Sequence, residues 1–308
     1  MYATLVKLAS KIRRRLSYKS FLVRKIAGQI NVFAYNGIPI FLDENGVPRV
    51  RLELGPIPDP VFVCTIPKSG TYMYAELLTK MGLIPTNLHI STWGCSDLRF
   101  ASKKMARTAP EELLRSSPID LLLDSIQQGQ FAVGHLPYNE FCAKLLGRFK
   151  IVFTYRDLRD TLISFMRYMA KNGLGTARSD GWGNWPEGAA KFERYLELHG
   201  EEFFKMILPM KGWLELPNVF ALEYEQVMGD YGETVQTKCI HQLISFLGIK
   251  YQDDSQQLLR DVLNCDTLTY SGSRSKREKY WSKKAEAFFE EHGGVMMQEY
   301  LIRYGGLR

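Results

Sequence analysis

The segment Pro67-Lys-Ser-Gly-Thr71 contains residue types that together can bind an anion. Lys68 carries a full positive charge, Ser69 and Thr71 add hydroxyl donors, and Gly70 lets the backbone approach a ligand closely. The segment follows a short apolar run and precedes apolar residues at helical spacing. Because a helix N-terminus directs N–H groups and a partial positive charge outward, we expect a phosphate or sulfate site here.

Two further polar side chains follow apolar, strand-like runs. His135 comes after residues 130–134, and its ordinary pKa near ~6.5 would suit a general base at neutral pH. A hydrogen-bonded structural histidine is the alternative that these residues alone leave open. Arg156 follows residues 150–155, where its guanidinium can bind a phosphate, and Ser164 in the next helix can reach the same region.

Lys68, His135, Arg156 and Tyr224 each stand at the carboxyl end of a predicted strand. In an open parallel α/β sheet this edge is where ligands bind, so residues distant in sequence converge on one crevice. We therefore predict a single α/β domain with a parallel central sheet flanked by helices. The predicted strands are 61–66, 130–134, 150–155 and 218–224. The predicted helices are 71–81, 118–128, 161–171, 189–199, 201–208 and 234–247.

Residues 83–117 are polar and interrupted by prolines, and we expect a loop with a short helix. His89 and Trp93 within this stretch could either line a pocket or pack against the body of the protein. Residues 171–187 are rich in glycine and contain Trp182 and Trp185. This stretch is predicted to be a surface loop.

The composition is that of a soluble globular protein, with 308 residues, 45% of them hydrophobic and 24% charged. The net charge of +7 suits an anionic ligand or an anionic surface, and no nucleic-acid partner is predicted. No apolar run reaches the ~18 residues of a membrane span, and no signal-peptide pattern is visible. The five cysteines are scattered, odd in number and without C-x-x-C spacing, so we expect reduced thiols, a cytoplasmic location and no metal site.

Residues 1–42 contain no acidic side chain, eight or more basic ones, and apolar residues at helical spacing: Leu5, Leu8, Ile12 and Leu16. A basic amphipathic helix could contact a membrane peripherally through residues 1–30. It could also pack on the domain by its apolar stripe, which we favour, or be an organellar presequence. Residues 33–50 resemble a small hairpin with an Asn36-Gly37 turn. We therefore divide the chain into an extension, 1–55, and a main domain, 56–308.

The phosphate turn does not follow the Walker pattern, because Lys68 precedes Gly70 and no second glycine stands five residues earlier. The order Pro-Lys-Ser-Gly-Thr instead resembles the phosphosulfate loop of sulfotransferases that use 3′-phosphoadenosine 5′-phosphosulfate (PAPS). Arg156, Asp160 and Ser164 keep the family's Arg-x-x-x-Asp-x-x-x-Ser spacing, and His135-Leu-Pro matches the family's catalytic His-Leu-Pro. These matches lie in the order in which the family has them.

The resemblance implies that His135 is the general base, that Lys68 stabilises the leaving group, and that Arg156 and Ser164 hold the 3′-phosphate. Tyr224 would contact the adenine, and Trp182 and Trp185 would lie near the acceptor unless they anchor the loop. The segment from Arg274 to Trp281 resembles the family's lid over the 3′-phosphate, without its glycines. The implied PAPS-binding residues are Lys68, Ser69, Gly70, Thr71, Tyr72, Arg156, Ser164, Tyr224, Arg274, Ser275 and Lys276.

The family also differs from this sequence at two positions. It often has a tryptophan where Met73 stands, and its cytosolic members have a lysine where Val133 stands. Some charge stabilisation on the sulfuryl oxygens must therefore come from another residue.

These observations predict sulfuryl transfer from PAPS to an acceptor hydroxyl or amine, leaving adenosine 3′,5′-bisphosphate (PAP) and requiring no metal. The acceptor class stays open among small molecules, lipids and glycans. A P-loop-type kinase and a non-catalytic protein that binds anions or a membrane surface are the alternatives. The sequence has neither the Walker order nor an evident Mg²⁺ site for a kinase, and a non-catalytic protein would not explain a histidine between two phosphate motifs.

Overall fold

The computed structural model describes residues 22–23, 32–35, 38–43, 45, 47–92, 94–99, 101–108, 110–115, 117–251, 254–265 and 276–305. The predicted N-terminal helix, the Asn36-Gly37 turn, Trp93, Arg274 and Ser275 lie outside these residues. Within the described ranges, no helix has both the length and the apolar character needed to cross a membrane.

The main sheet has seven strands: β5 (Val61–Thr65), β6 (Ile84–Ser91), β7 (Gly94–Asp97), β8 (Leu114–Arg115), β9 (Gln130–His135), β10 (Lys150–Tyr155) and β11 (Val219–Glu223). Their order is β11-β10-β5-β9-β6-β7-β8. The pairs among β11, β10, β5, β9 and β6 are parallel, and β7 and β8 add an antiparallel edge. The predicted α/β fold with a parallel central sheet is confirmed.

A separate antiparallel sheet precedes it, with strands β1 (Leu22–Val23), β2 (Val32–Tyr35), β3 (Ile38–Leu42) and β4 (Pro48–Arg49) paired in sequence order. The pairing of β2 with β3 and of β3 with β4 confirms the predicted hairpin within residues 33–50. The division of the chain at residue 55 stays a prediction.

The helices of the main domain are α1 (Thr71–Lys80), α2 (Lys103–Thr108), α3 (Ile119–Asp124), α4 (Glu140–Leu145), α5 (Leu158–Asn172), α6 (Ala189–Tyr195), α7 (Glu201–Ile207), α8 (Tyr224–Met228), α9 (Glu233–Leu247), α10 (Ser255–Leu263), α11 (Arg277–Tyr280), α12 (Lys283–Glu291) and α13 (Gly294–Gly305). A π-helical segment, Leu196–Gly200, joins α6 to α7. Each of the six helices predicted between residues 71 and 247 corresponds to an observed one, and most differ at one or both ends. For example, α5 begins earlier than predicted because the Asp157 carboxylate accepts hydrogen bonds from the backbone N–H groups of Arg159 and Asp160.

The two faces of the sheet are buried against different helices. Along β5, Val61 and Val63 belong to one apolar cluster, which includes buried residues of α1, α9 and α10, and Phe62 and Cys64 belong to the other. Burial on both faces explains the continuous apolar character of the central strands. We call the side that packs on α1 the α1 face of the sheet.

The expectation of a loop across residues 83–117 is wrong at β6. This strand pairs with β9 in parallel, and Thr86, Leu88 and Ile90 alternate as buried residues along it. Pro85 and the positive φ of Asn87, 55°, accompany an irregular register between Pro85 and His89. The interruption hid the strand's period of two, and the missed strand carries His89 to the ligand-binding edge.

Candidate functional site

The turn between β5 and α1 has the backbone of an anion site. Lys68 has a φ of 72° and Gly70 a φ of 93°, a left-handed conformation that costs a non-glycine residue roughly 1–3 kcal/mol. Among the described residues, the N–H groups of Gly70, Thr71 and Tyr72 have no hydrogen-bond acceptor. These three donors at the start of α1 are available to a ligand.

The Lys68 ammonium group lies 4.5 Å from the centroid of the Tyr168 ring. Burial, together with the nearby charges of Arg156, Arg167 and Lys171, lowers the pKa of Lys68 to about 8. A lysine surrounded by other cations is stabilised in its charged form when an anion binds.

The hydroxyl groups of the turn have a different role from the predicted one. Ser69 is completely buried, and its Oγ donates to the Ile66 carbonyl at 2.7 Å while lying 3.1 Å from Thr154 Oγ1. Thr71 Oγ1 lies 2.8 Å from Thr65 Oγ1. The side chains of Ser69 and Thr71 therefore hold the turn to the sheet, and the donors that face a ligand come from the backbone and Lys68.

His135 ends β9 beside this turn. Its Nδ1 lies 2.8 Å from the backbone carbonyl oxygen of Thr65 and 2.9 Å from Thr65 Oγ1. Because a carbonyl only accepts, Nδ1 carries the proton and Nε2 has a free lone pair. No described residue forms a hydrogen bond with Nε2. Burial lowers the pKa of His135 to about 4, assisted by the charge of Lys68 and opposed by the bond to Thr65, so the ring is neutral at pH 7.

His89 lies next to His135, and the two ring centroids are 4.6 Å apart in an edge-to-face arrangement. The Tyr72 hydroxyl is 2.9 Å from His89 Nδ1. Burial and the neighbouring His135 and Lys68 lower the pKa of His89 well below its usual range. Of the two roles left open for His89, the structure favours a place in the site.

Arg156 reaches the same region from the end of β10. Its guanidinium carbon lies 4.8 Å from the centroid of the Tyr224 ring. That ring packs so closely on Gly70 that a Cβ atom there would come within 2.8 Å of it. The structure therefore brings the Lys68 turn, Arg156 and Tyr224 together, as their positions after parallel strands predict.

The guanidinium of Arg156 is not free, although the sequence suggested that it would be. Arg156 lies 3.7 Å from an oxygen of Asp160 and 3.5 Å from one of Glu225. These separations exceed hydrogen-bond length, and Arg156 Nε and Glu225 Oε2 are buried without a hydrogen-bond partner. Burial raises the pKa of Glu225 to about 7, against the opposing effect of Arg156.

The remaining predicted PAPS contacts lie around this corner. Ser164 is half-buried on α5, and Lys276 is exposed immediately before α11. Arg277, which the sequence analysis did not select, lies 2.6 Å from an oxygen of Asp157 at the start of α5. The C-terminal segment thus reaches the Arg156 corner through Arg277.

The two tryptophans differ in exposure. Trp182 is completely buried and its Nε1 donates to Thr176 Oγ1, whereas Trp185 is 43% exposed. This burial favours the alternative in which Trp182 anchors the glycine-rich loop and does not face an acceptor.

Three other residues of the site also escaped the sequence analysis. Thr65 is a polar residue at the end of an apolar strand, and Tyr168 lies one turn after Ser164 on α5, so both had a sequence signal. Glu225 follows Tyr224 in a Tyr-Glu pair similar to the family's, but its proximity to Arg156 arises from the pairing of β10 with β11 and was not predicted.

The fold and these groups define an α/β protein with a turn that presents three N–H donors and Lys68, an adjacent neutral histidine, and a second cationic corner at Arg156. Residues 58–295 match the family model described as the sulfotransferase domain. The chain belongs to the sulfotransferase family, which supports sulfuryl transfer as its general chemistry and confirms the predicted family. No curated protein sequence matches the chain.

Solved structures with a similar fold include mouse sulfotransferase SULT7A1 complexed with PAP, at 18% identity and a TM-score of 0.49, covering 89% of this chain and 100% of that one. Retinol dehydratase in complex with androsterone and inactive cofactor PAP has 16% identity and a TM-score of 0.46, covering 91% of each chain. Retinol dehydratase in a complex with retinol and PAP has 17% identity and a TM-score of 0.43, covering 95% of this chain and 99% of that one.

Proposed function

We propose that this protein transfers a sulfuryl group from PAPS to an acceptor hydroxyl or amine. The observation that carries the proposal is the position of His135, a neutral imidazole with a free Nε2 beside an anion-binding turn. Family membership supplies the reaction class, and this geometry supplies the base.

His135 Nε2 removes the acceptor proton as the acceptor oxygen or nitrogen forms its bond to sulfur. The bond between sulfur and the bridging phosphate oxygen breaks, and PAP leaves with the electron pair. Lys68 neutralises the charge that develops on that oxygen, and the N–H groups of Gly70, Thr71 and Tyr72 assist. The proton ends on His135 and passes to solvent after the sulfated product departs.

Two cationic corners fit the two charged ends of PAPS. Lys68 and the backbone of its turn suit the 5′-phosphosulfate, and Arg156 with Ser164 suits the 3′-phosphate, where the unpartnered Nε of Arg156 marks an unfilled bonding position. Tyr224 is the aromatic side chain that contacts both the Lys68 turn and Arg156, and it is the candidate for contact with the adenine of PAPS. Arg274, Ser275 and Lys276 are proposed from the sequence to close over the 3′-phosphate.

The acceptor is proposed to be a small molecule, a lipid or a glycan, in a cytoplasmic setting, with peripheral membrane contact through residues 1–30 as the open alternative. We expect no metal requirement. Among the described residues, no group of three or more His, Cys, Asp or Glu side chains could hold a metal ion.

The nucleotide assignment is tested by thermal unfolding of the full chain with PAP, AMP and ADP at matched concentrations. A ligand that binds only the folded state stabilises it by RT ln(1 + [L]/Kd), so at matched concentrations the tighter ligand gives the larger rise in melting temperature. We expect PAP to give by far the largest shift, because only PAP has the 3′-phosphate that Arg156 would contact. Equal shifts from all three nucleotides would contradict the PAPS assignment and favour a P-loop-type kinase.

A further inference from the structure

His89 lies beside the proposed base, His135, with the two ring centroids 4.6 Å apart. On the adjacent strand its register partner is Val133, which is apolar and 5% exposed. Residues paired in parallel strands point to the same face of the sheet, and Leu88 and Ile90 belong to the opposite cluster. His89 and His135 therefore stand on the α1 face, next to the Lys68 turn.

The bond to Tyr72 fixes the state of the His89 ring. The described residues offer the Tyr72 hydroxyl no acceptor other than His89 Nδ1, at 2.9 Å. A phenol O–H donates best to an imidazole nitrogen, so Nδ1 accepts and the proton of the neutral ring lies on Nε2. No described residue accepts a hydrogen bond from Nε2. The two histidines thus have opposite states at Nε2, a lone pair on His135 and an N–H on His89.

We propose that His89 is a second catalytic residue, whose Nε2–H donates a hydrogen bond to a non-bridging oxygen of the sulfuryl group. This inference rests on the proposed function. Val133, which stands where cytosolic members of the family have a lysine, cannot donate a hydrogen bond to the sulfuryl oxygens. The Nε2–H of His89 on the adjacent strand supplies that donor, and His89 itself transfers no proton. Its ring stays neutral because burial lowers its pKa and because Lys68 and His135 are the charged or chargeable groups that face it. A neutral donor does not compete with His135 for the acceptor proton.

Binding measurements isolate this contact without knowledge of the acceptor, because PAPS and PAP differ by the sulfuryl group alone. We expect His89→Ala to weaken the affinity for PAPS by about tenfold, the effect of losing one hydrogen bond to a charged group, and to leave the affinity for PAP unchanged. Isothermal titration of the full chain with each ligand measures both constants.

Two conservative variants test the geometry of the donor. Glutamine places an amide N–H near the position of the histidine Nε2, so His89→Gln should retain most of the PAPS affinity. Asparagine reaches only as far as Nδ1, so His89→Asn should lose it as alanine does. His241, exposed on α9 away from the site, gives the matched control, and His241→Gln should change neither affinity.

The outcomes separate this inference from the proposal on which it rests. Unchanged affinity for PAPS in His89→Ala and His89→Asn would overturn the role of His89, as would an equal loss for PAPS and PAP, which would mean that His89 only supports the turn through Tyr72. Failure of the unmodified protein to bind either ligand would instead refute the proposed function itself.

Discussion

Two parts of this site differ in their hydrogen bonding. We call His135, Thr65, Thr71 and Lys68 the base corner, and Arg156 with Glu225 and Asp160 the guanidinium corner. At the base corner, His135, Thr65 and Thr71 are joined by separations of 2.8–2.9 Å. At the guanidinium corner, Arg156 lies 3.5 Å from Glu225 and 3.7 Å from Asp160. His135 Nδ1 and the hydroxyl groups of Thr65 and Thr71 are thus hydrogen-bonded, whereas Arg156 lies near Glu225 and Asp160 at more than hydrogen-bond length.

This difference indicates which part of the site is preorganised before the ligand binds. The Thr65 carbonyl already fixes the His135 tautomer, so catalysis requires no rearrangement there. At the other corner, the two carboxylates lie where a phosphate would satisfy Arg156 better, since a bidentate bond to phosphate is shorter and stronger than these contacts. We therefore expect changes at the base corner to alter turnover and changes at the guanidinium corner to alter nucleotide affinity.

The largest effect is expected from His135→Ala, which removes the prepared base. General-base catalysis contributes about 10²–10⁴-fold, so the transfer rate should fall by that factor. PAP affinity should hardly change, because the ring contacts no part of the proposed nucleotide site. Radiolabelled PAPS with a panel of phenols, alcohols and amines measures the first quantity, and titration with PAP the second. Undiminished transfer would show that another group deprotonates the acceptor.

The sequence predicted where His135 lies and its proposed role as a base, but not the hydrogen bonds that fix its tautomer. Apolar runs and glycine helix ends located β5, β9, β10 and α1, and the rule for parallel sheets placed His135 beside Lys68. The tautomer depends on the Thr65 carbonyl, which is 70 residues away from His135 in sequence and meets it only through strand pairing. The inward rotamer of Ser69 depends on Thr154 in the same way.

The guanidinium corner was less predictable because, apart from Asp160, its electrostatic partners come from distant parts of the chain. Glu225 follows a different strand, and Arg277 belongs to a C-terminal segment whose glycine signature is missing. His89 was hidden because Pro85 and Asn87 obscure the pattern of β6. Strand pairing, which sequence periodicity cannot specify, decides the positions of Glu225 and His89.

Lys68→Met should have the next largest effect and would show how far the lysine belongs to the prepared corner. Loss of one preorganised donor to the leaving oxygen costs about 10²–10³ in kcat. In the unmodified protein, kcat/KM should fall below pH 4, where His135 becomes protonated, and above pH 8, where Lys68 loses its proton. In Lys68→Met, kcat/KM should still decrease below pH 4 but should no longer decrease above pH 8. If kcat/KM of Lys68→Met still decreases above pH 8, the group that titrates there is not Lys68.

Arg156→Lys tests the guanidinium corner while preserving its charge. Lysine cannot make the bidentate contact, so we expect PAP affinity to fall by about tenfold, with AMP affinity unchanged because AMP has no 3′-phosphate. Arg260→Lys, on the exposed side of α10, is the matched control. A similar loss for AMP and PAP would mean that Arg156 supports the fold of the site and does not recognise the 3′-phosphate.

Glu225→Gln should produce the smallest change, and in the opposite direction. The Glu225 carboxylate competes with a 3′-phosphate for Arg156, so removing its charge should tighten PAP binding by about threefold, an increment within the range for partly screened charges.

Burial raises the pKa of Glu225 to about 7, so in the unmodified protein the carboxyl is neutral below pH 7 and charged above it. PAP should therefore bind more weakly as the pH rises from 6 to 8. The phosphates of PAP titrate near pH 6 as well, but they gain charge with rising pH and so act in the other direction. In Glu225→Gln the titration of the phosphates and of Lys68, whose pKa is about 8, remains, so the difference between the two pH profiles isolates Glu225. If PAP affinity varies with pH in the same way in the unmodified protein and in Glu225→Gln, Glu225 does not compete with the ligand. The guanidinium corner would then be as preorganised as the base corner.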